Sequence, residues 1–181
     1  MTNIDGKIKV LIGQEELQKR IAEMGEQITR EYAGKDLHLI CILKGGVMFM
    51  TELSKHIGED VHVSMDFMSV SSYGNERSTT GRVRILKDLD EPIEGREVLI
   101  VEDIIDSGKT LSTLTAMLET RKPKSIKLCT LLDKPDRREV DVKVDYVGFT
   151  IEDLFVLGFG LDYDQFYRNI PYIGYVQNTE D

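Results

Sequence analysis

The chain has 181 residues, 41% hydrophobic and 30% charged, enough apolar material to bury one good core, and it reads as one domain over 1–181. A formal net charge of −9, from 23 basic and 32 acidic residues, weighs against a general nucleic-acid binder, which would carry a basic face. Met1 to Lys9 hold no signal-type apolar core, and no later run approaches the ~20 residues of a membrane span, so a cytoplasmic protein without membrane contact is expected.

Leu17, Ile21, Met24 and Ile28 recur at helical spacing and predict an amphipathic helix ending near Gly34. Leu37 to Leu43 then form a continuous apolar strand, and Phe49, Leu53 and Ile57 suit a second helix. Val61, Val63, Met65 and Phe67 alternate with His62, Ser64 and Asp66, the period of a half-buried strand. Ser69 to Arg82 break the pattern with glycines, hydroxyls and few apolar anchors, which predicts a mobile loop. Val83 to Leu86, Val98 to Val101, Ile126 to Leu132 and Asp145 to Phe149 supply further strands, with a helix between the middle two. This alternation predicts an α/β fold with a parallel-rich sheet, helices on both faces and the ligand at the carboxyl ends of the strands. Cys41 and Cys129 lie within apolar stretches and read as free buried thiols. His38, His56 and His62 have no metal-site spacing and are assigned to structure.

The informative segment is Val98 to Thr110. Its apolar run stops at two carboxylates, Glu102 and Asp103, and resumes as the small turn Asp106-Ser107-Gly108-Lys109-Thr110. Leu111, Leu114 and Leu118 then share a helical face until Pro123, so the turn opens a helix. Unpaired amides and the positive end of the helix dipole favour an anion there, with Ser107, Lys109 and Thr110 as further donors and Gly108 permitting close approach. A P-loop reading fails, because the glycine it needs five residues before Gly108 is Asp103. Acids beside an anion site would repel a phosphorylated ligand unless they bind sugar hydroxyls, hold a cation or take up a proton, so a sugar phosphate is expected. Drawing an anionic substrate to an acidic chain also calls for a local cation, and magnesium is the natural one.

Strand, two acids and a short phosphate loop at a helix start resemble the signature of the phosphoribosyltransferases. Leu43-Lys44-Gly45-Gly46, Ser71-Ser72-Tyr73-Gly74, Asp133-Lys134-Pro135, and Phe155-Val156 followed by Leu161-Asp162-Tyr163 and Arg168 stand in the order seen in hypoxanthine (guanine) phosphoribosyltransferases, over roughly Leu37 to Arg168. That resemblance implies a type I phosphoribosyltransferase fold with a small base-binding hood from the C-terminal segment. It implies transfer of ribose 5-phosphate from 5-phosphoribosyl 1-pyrophosphate to a 6-oxopurine, with Mg2+. It also implies a homodimer or homotetramer.

By the same resemblance Glu102 and Asp103 engage the ribose hydroxyls, directly or through magnesium, and Ser107 to Thr110 hold the 5′-phosphate. Asp106, which could by itself be a plain helix cap, becomes the acid facing the purine imidazole. Lys44, Gly45 and Arg168 bind pyrophosphate, often across a cis peptide between Leu43 and Lys44. Lys134 donates to the 6-oxo group, Phe155 stacks on the purine and Val156 offers main-chain groups to the base edge. Asp162 is the second magnesium ligand, and Ser71 with Tyr73 lies on a lid that excludes water. Some proteins of this fold instead act as RNA-binding regulators; the acidic balance argues against that role.

Overall fold

A computed structural model describes Ile4 and residues 6–73 and 82–177. In chain order its elements are β1 (Ile8–Ile12), α1 (Gln14–Tyr32), β2 (Asp36–Leu43), α2 (Gly46–Lys55), β3 (His62–Tyr73), β4 (Arg82–Lys87) and β5 (Glu97–Ile105). These are followed by α3 (Lys109–Glu119), β6 (Ser125–Asp133), a 3-10 turn (Pro135–Arg137), β7 (Tyr146–Thr150), β8 (Val156–Leu157) and β9 (Ile173–Val176). A six-stranded sheet runs β4-β3-β2-β5-β6-β7 and a separate three-stranded sheet runs β1-β9-β8. In the large sheet only β4 is antiparallel, on β3; β3, β2, β5, β6 and β7 are parallel to their neighbours. Among the described residues no helix is long and apolar enough to cross a membrane.

Residue alternation in β2 and β5 explains why both read as unbroken apolar runs. Leu37, Leu39 and Cys41 of β2 and Leu99 and Val101 of β5 pack with Leu17, Ile21, Met24 and Ile28 of α1 and Phe49, Met50 and Leu53 of α2. The intervening Ile40, Ile42, Val98 and Ile100 pack with Leu111, Leu114 and Leu118 of α3. A strand covered on both faces needs apolar residues at every position, which is the sequence mark of a buried parallel sheet. Glu15 and Glu16 in the first turn of α1 and Arg30 in its last complement the helix dipole. Cys41 and Cys129 are free and buried, as expected, and burial pushes the Cys41 thiol up to about 12.

Several local expectations need correction. β5 does not stop before the two carboxylates; it continues to Ile105 because β6 goes on pairing with it, Glu102 against Thr130 and Ile104 against Leu132. The segment expected as a loop from Ser69 to Arg82 is strand at both ends, with Ser69 to Tyr73 on β3 and Arg82 on β4, Ser71 facing Arg84 in register. Residues 74–81 and the Tyr73 side chain lie outside what is described. In β3 the apolar set is not uniformly the buried one: Met65 is 48% exposed whereas Asp66 is 3% exposed. Asp66 is buried because its carboxylate accepts the amides of Phe67 at 2.6 Å and of Asp90 at 2.8 Å, anchoring the loop after β4. Those amides, with Lys87 nearby, hold its carboxyl below the usual range despite burial.

Candidate active site

The carboxyl ends of β2, β5 and β6 bring the singled-out segments to one end of the sheet. Two glycine contacts define how closely. A Cβ on Gly45 would fall 1.5 Å from Asp103 Oδ2, and one on Gly160, at φ +102°, would fall 2.1 Å from the Gly45 carbonyl oxygen. The turn after β2, the acidic end of β5 and the segment around 160 therefore touch through glycine backbone, and no side chain could be inserted without parting them. The Leu43–Lys44 peptide in this turn is cis.

Glu102 Oε2 is shut off from solvent and has no hydrogen-bond partner among the described residues. Burial, with Asp103 adding, pushes the Glu102 carboxyl well above its usual range. Asp103 is pushed up to about 6, by burial first, against the opposing pull of the Ile104 amide and of Arg168. The Ile104 amide donates to Asp103 Oδ1 at 2.8 Å. Glu102 thus lacks the cation or donor that burial demands, the pattern of a candidate functional site rather than of a stability device.

Arg168 and Lys44 come together through a residue the sequence reading did not single out. Gln165 Oε1 accepts from Lys44 Nζ at 3.1 Å and from Arg168 Nη2 at 3.5 Å. Arg168 also donates through Nη1 to the Gly160 carbonyl at 2.7 Å and pairs through Nη2 with Asp162 Oδ1 at 2.8 Å. The other Asp162 oxygen accepts the Gln165 amide at 2.8 Å. Both Asp162 oxygens are thus engaged, and among the described residues no three acids, histidines or cysteines gather as a cation cluster. Glu102, Asp103 and Asp162 form no such cluster, although Asp162 is near enough to help raise the Asp103 carboxyl; the orphaned Glu102 oxygen is where a cation or donor is missing.

The phosphate turn forms as expected, with its own framing. Gly108, at φ +81°, is the N-cap of α3 and no side chain caps the helix. Asp106 is therefore not the cap. Its Oδ1 accepts from Arg137 Nε at 3.1 Å, and its carbonyl accepts from Arg138 Nε at 3.1 Å. The Ser107 carbonyl accepts the amides of Glu139 and Val140 at 3.0 and 3.1 Å, and Lys109 pairs with Glu139. Residues 137–140, unremarked in the sequence, hold the back of the turn, leaving the first amides of α3 to face a cavity of about 160 Å3 lined by Glu102, Asp106, Ser107, Gly108 and Thr110.

Beyond Asp106 lies the expected base region. Lys134 is 7% exposed, and its Nζ donates to the Leu154 carbonyl at 2.5 Å with Asp153 Oδ1 3.7 Å away. An ammonium this buried retains donors that neither partner uses up. Phe155 is 58% exposed and meets Tyr163 edge-on at 5.6 Å, so its ring is a surface rather than core packing. Val156 opens β8 and pairs with Tyr175 of β9.

The Phosphoribosyl transferase domain matches residues 13–164. The chain belongs to the phosphoribosyltransferase family. A hypoxanthine-guanine phosphoribosyltransferase of Bacillus subtilis is 55% identical over 166 residues, covering 92% of this chain and 91% of that one. A hypoxanthine phosphoribosyltransferase of Escherichia coli is 54% identical over 171 residues, covering 93% and 95%. Among solved structures, a hypoxanthine phosphoribosyltransferase from Staphylococcus aureus superimposes with a TM-score of 0.91 at 47% identity, covering 98% of this chain and 96% of that one. A hypoxanthine-guanine phosphoribosyltransferase from Bacillus anthracis, with a HEPES molecule in its active site, gives 0.89 at 47%, covering 93% and 98%. The phosphoribosyltransferase fold expected from the sequence is thus the observed one, although the small sheet, expected from the C-terminal segment, also takes in β1 from the N-terminal end.

Proposed function

We propose that this phosphoribosyltransferase is a purine salvage enzyme that moves the 5-phosphoribosyl group of 5-phosphoribosyl 1-pyrophosphate onto hypoxanthine or guanine, giving IMP or GMP and pyrophosphate. The observation that carries this reading is the meeting, at one end of the sheet, of the Glu102–Asp103 acid pair, a phosphate turn and a buried Lys134. The names of relatives above half identity, matched over nearly their whole length, support the same substrates.

Breaking the anomeric bond builds positive charge on the sugar and negative charge on the leaving pyrophosphate, so stabilising both ends matters more than a strong nucleophile. Ser107 to Thr110 and the start of α3 hold the 5′-phosphate and so fix the sugar. Glu102 and Asp103 face the ribose, where they bind its hydroxyls and sit opposite the developing cation. Lys44, Gly45 and Arg168 receive the leaving pyrophosphate, with Gln165 keeping the two cations together until substrate replaces it. Lys134 donates to the 6-oxo group, Phe155 covers the purine ring and Asp106 accepts the imidazole proton as that nitrogen bonds to the sugar. Ser71 and Tyr73 belong to the segment that covers the reacting centre. Mg2+, when bound with the donor, would be held by Glu102, Asp103 and Asp162 and would supply positive charge against that of the leaving pyrophosphate.

Free buried thiols and an acidic net charge favour a cytoplasmic enzyme of small molecules, and the family resemblance favours a homodimer or homotetramer of single-domain chains. The test is a coupled assay of IMP and GMP formation over a panel of purines, with and without donor and magnesium. Transfer that needs both, to 6-oxopurines alone, is expected; no transfer to either base would overturn the reading.

A further inference from the structure

At the opposite end of the sheet, where β2, β3, β5 and β6 begin, an open groove of about 750 Å3 crosses the strand ends. Lys35, His38, His62, Ser64, Arg96 and Lys124 line it, together with Asp36 and Glu97. A chain of net charge −9 has placed more cations than carboxylates around one concavity. The carboxylates are moreover already matched. Asp36 Oδ1 meets His62 Nδ1 at 2.9 Å, and Glu97 Oε1 meets Lys124 Nζ at 2.8 Å while its other oxygen takes the Ser125 hydroxyl. Lys35 Nζ donates to the Glu31 carbonyl at 3.1 Å and lies 5.5 Å over the Tyr32 ring, close enough to Glu31 and Glu97 to help hold their carboxyls down. Arg96 is half-buried, yet among the described residues its guanidinium makes no hydrogen bond or ion pair. Lys35, which is exposed, and Arg96, which is half-buried, thus stand at the groove outside any ion pair among the described residues, free to contact an anion that enters it.

The floor points the same way. His38 is 3% exposed; its Nδ1 lies 2.8 Å from Ser64 Oγ, while Nε2 has no hydrogen-bond partner and sits 4.0 Å from Asp66 Oδ2. If the ring donates to Ser64, the Ser64 hydroxyl is left to donate to something in the groove. The frame is fixed by backbone bonds, His62 amide to the Lys35 carbonyl at 3.0 Å and Lys124 amide to the Arg96 carbonyl at 2.8 Å, so the cations are held on short, tethered loops. A groove of this size would be mostly empty around inorganic phosphate, and its lining offers no aromatic side chain for stacking.

We propose that this groove is a second ligand site, distinct from the phosphoribosyl site, that binds a nucleotide-sized phosphorylated metabolite through its phosphate, with Arg96 and Lys35 as the charged contacts and Ser64 as a neutral donor. Such a ligand could be a 5′-mononucleotide of the kind this family releases or a nucleoside triphosphate; both present the same phosphate chemistry.

The experiment is calorimetric titration of the intact protein with GMP and, separately, with ATP, for wild type, Arg96→Glu and Arg96→Gln. Two sites per chain for at least one nucleotide are expected in wild type. The groove site should weaken roughly 10- to 100-fold in Arg96→Gln, the weight of a lost charge-assisted hydrogen-bonded contact, and vanish in Arg96→Glu. Its affinity should fall steeply with salt, and transfer kinetics without added nucleotide should stay within about twofold of wild type. GMP alone filling the second site identifies the mononucleotide, and ATP filling it identifies the triphosphate. Binding of both nucleotides that stays at wild-type strength and number of sites in Arg96→Gln and Arg96→Glu, or no nucleotide bound beyond GMP at the phosphoribosyl site, overturns the proposal. If Arg96→Glu misfolds by circular dichroism, Arg96→Gln with Lys35→Gln decides on the same criterion.

Discussion

Lys134→Gln is the most telling single change, because the side chain is both nearly inaccessible and charged. Its Nζ sits 2.5 Å from the Leu154 carbonyl and 3.7 Å from Asp153 Oδ1, so the loop carrying Phe155 and Val156 hangs from it. In the proposed complex a further donor of the same ammonium meets the purine 6-oxo group and confronts the amino group of adenine. A hydrogen bond to a charged group is worth about 1.5–3 kcal/mol, so losing it should lower kcat/KM for hypoxanthine roughly 10- to 150-fold. A glutamine amide is one bond shorter and can accept as well as donate, which removes the repulsion toward adenine. A site built to bond one polar group can discriminate by ~10⁴ or more, so the hypoxanthine-to-adenine ratio should narrow mainly through loss on hypoxanthine. Initial rates for both bases at saturating donor, in parent and variant, measure it. The Leu154 contact is read separately by thermal melting, and Lys134→Met, which cannot donate at all, should melt no higher than Lys134→Gln. An unchanged ratio of the two bases would refute base reading by Lys134 and transfer selectivity to the main chain at Val156.

Asp106→Asn should cut turnover by roughly 10²- to 10⁴-fold with little effect on donor affinity, measured by single-turnover rates and donor titration; near-normal turnover would reduce Asp106 to an anchor for Arg137. Asp103 has a folded pKa of about 6 against an ordinary 3.8, so the folded state binds the extra proton and stability falls as pH rises between those values. The loss is roughly 3 kcal/mol at most above pH 6, and Asp103→Asn should make the ligand-free protein more resistant to urea at pH 7.5 but not at pH 4, while impairing transfer; a variant less stable at pH 7.5 would refute the assignment. Gly45→Ala places a Cβ 1.5 Å from Asp103 Oδ2 and should raise the KM for donor more than that for base; an equal effect on both would mean the clash is absorbed elsewhere.

Much of this was legible in the sequence wherever the physics is local. The apolar runs of β2 and β5, the 3.6-residue stripes of α1 and α3, and the turn at Ser107 to Thr110 each follow from neighbours within a few residues. What stayed hidden depends on distant partners. β1 reads as a weak apolar patch in a polar start, and becomes a strand only because β9 pairs with it from the other end of the chain. Asp66 looks solvent-facing until the amides of Asp90 and Glu91 arrive. Glu102 and Asp103 seemed to lie past a strand end because apolarity stopped, whereas the ladder to β6 did not. Gln165, Arg137 and Arg138 carry no signal of their own; each matters through what it bonds, and the composite resemblance located the site without them.

The small sheet has a consequence for how the protein is made. Its central strand, β9, spans Ile173–Val176, and both β1 and β8 depend on it for their pairing. Every residue assigned to the 5′-phosphate and ribose lies between Glu102 and Thr110, in strands and a helix that close by Asp133. During synthesis the turn at Ser107 to Thr110 can therefore gain its backing once residues 137–140 have emerged, whereas the segment at Phe155 and Val156 gains its support only when β9 does. A chain ended before β9 would leave the segment proposed to hold the purine without its support, so affinity for the base should be among the last properties the polypeptide acquires.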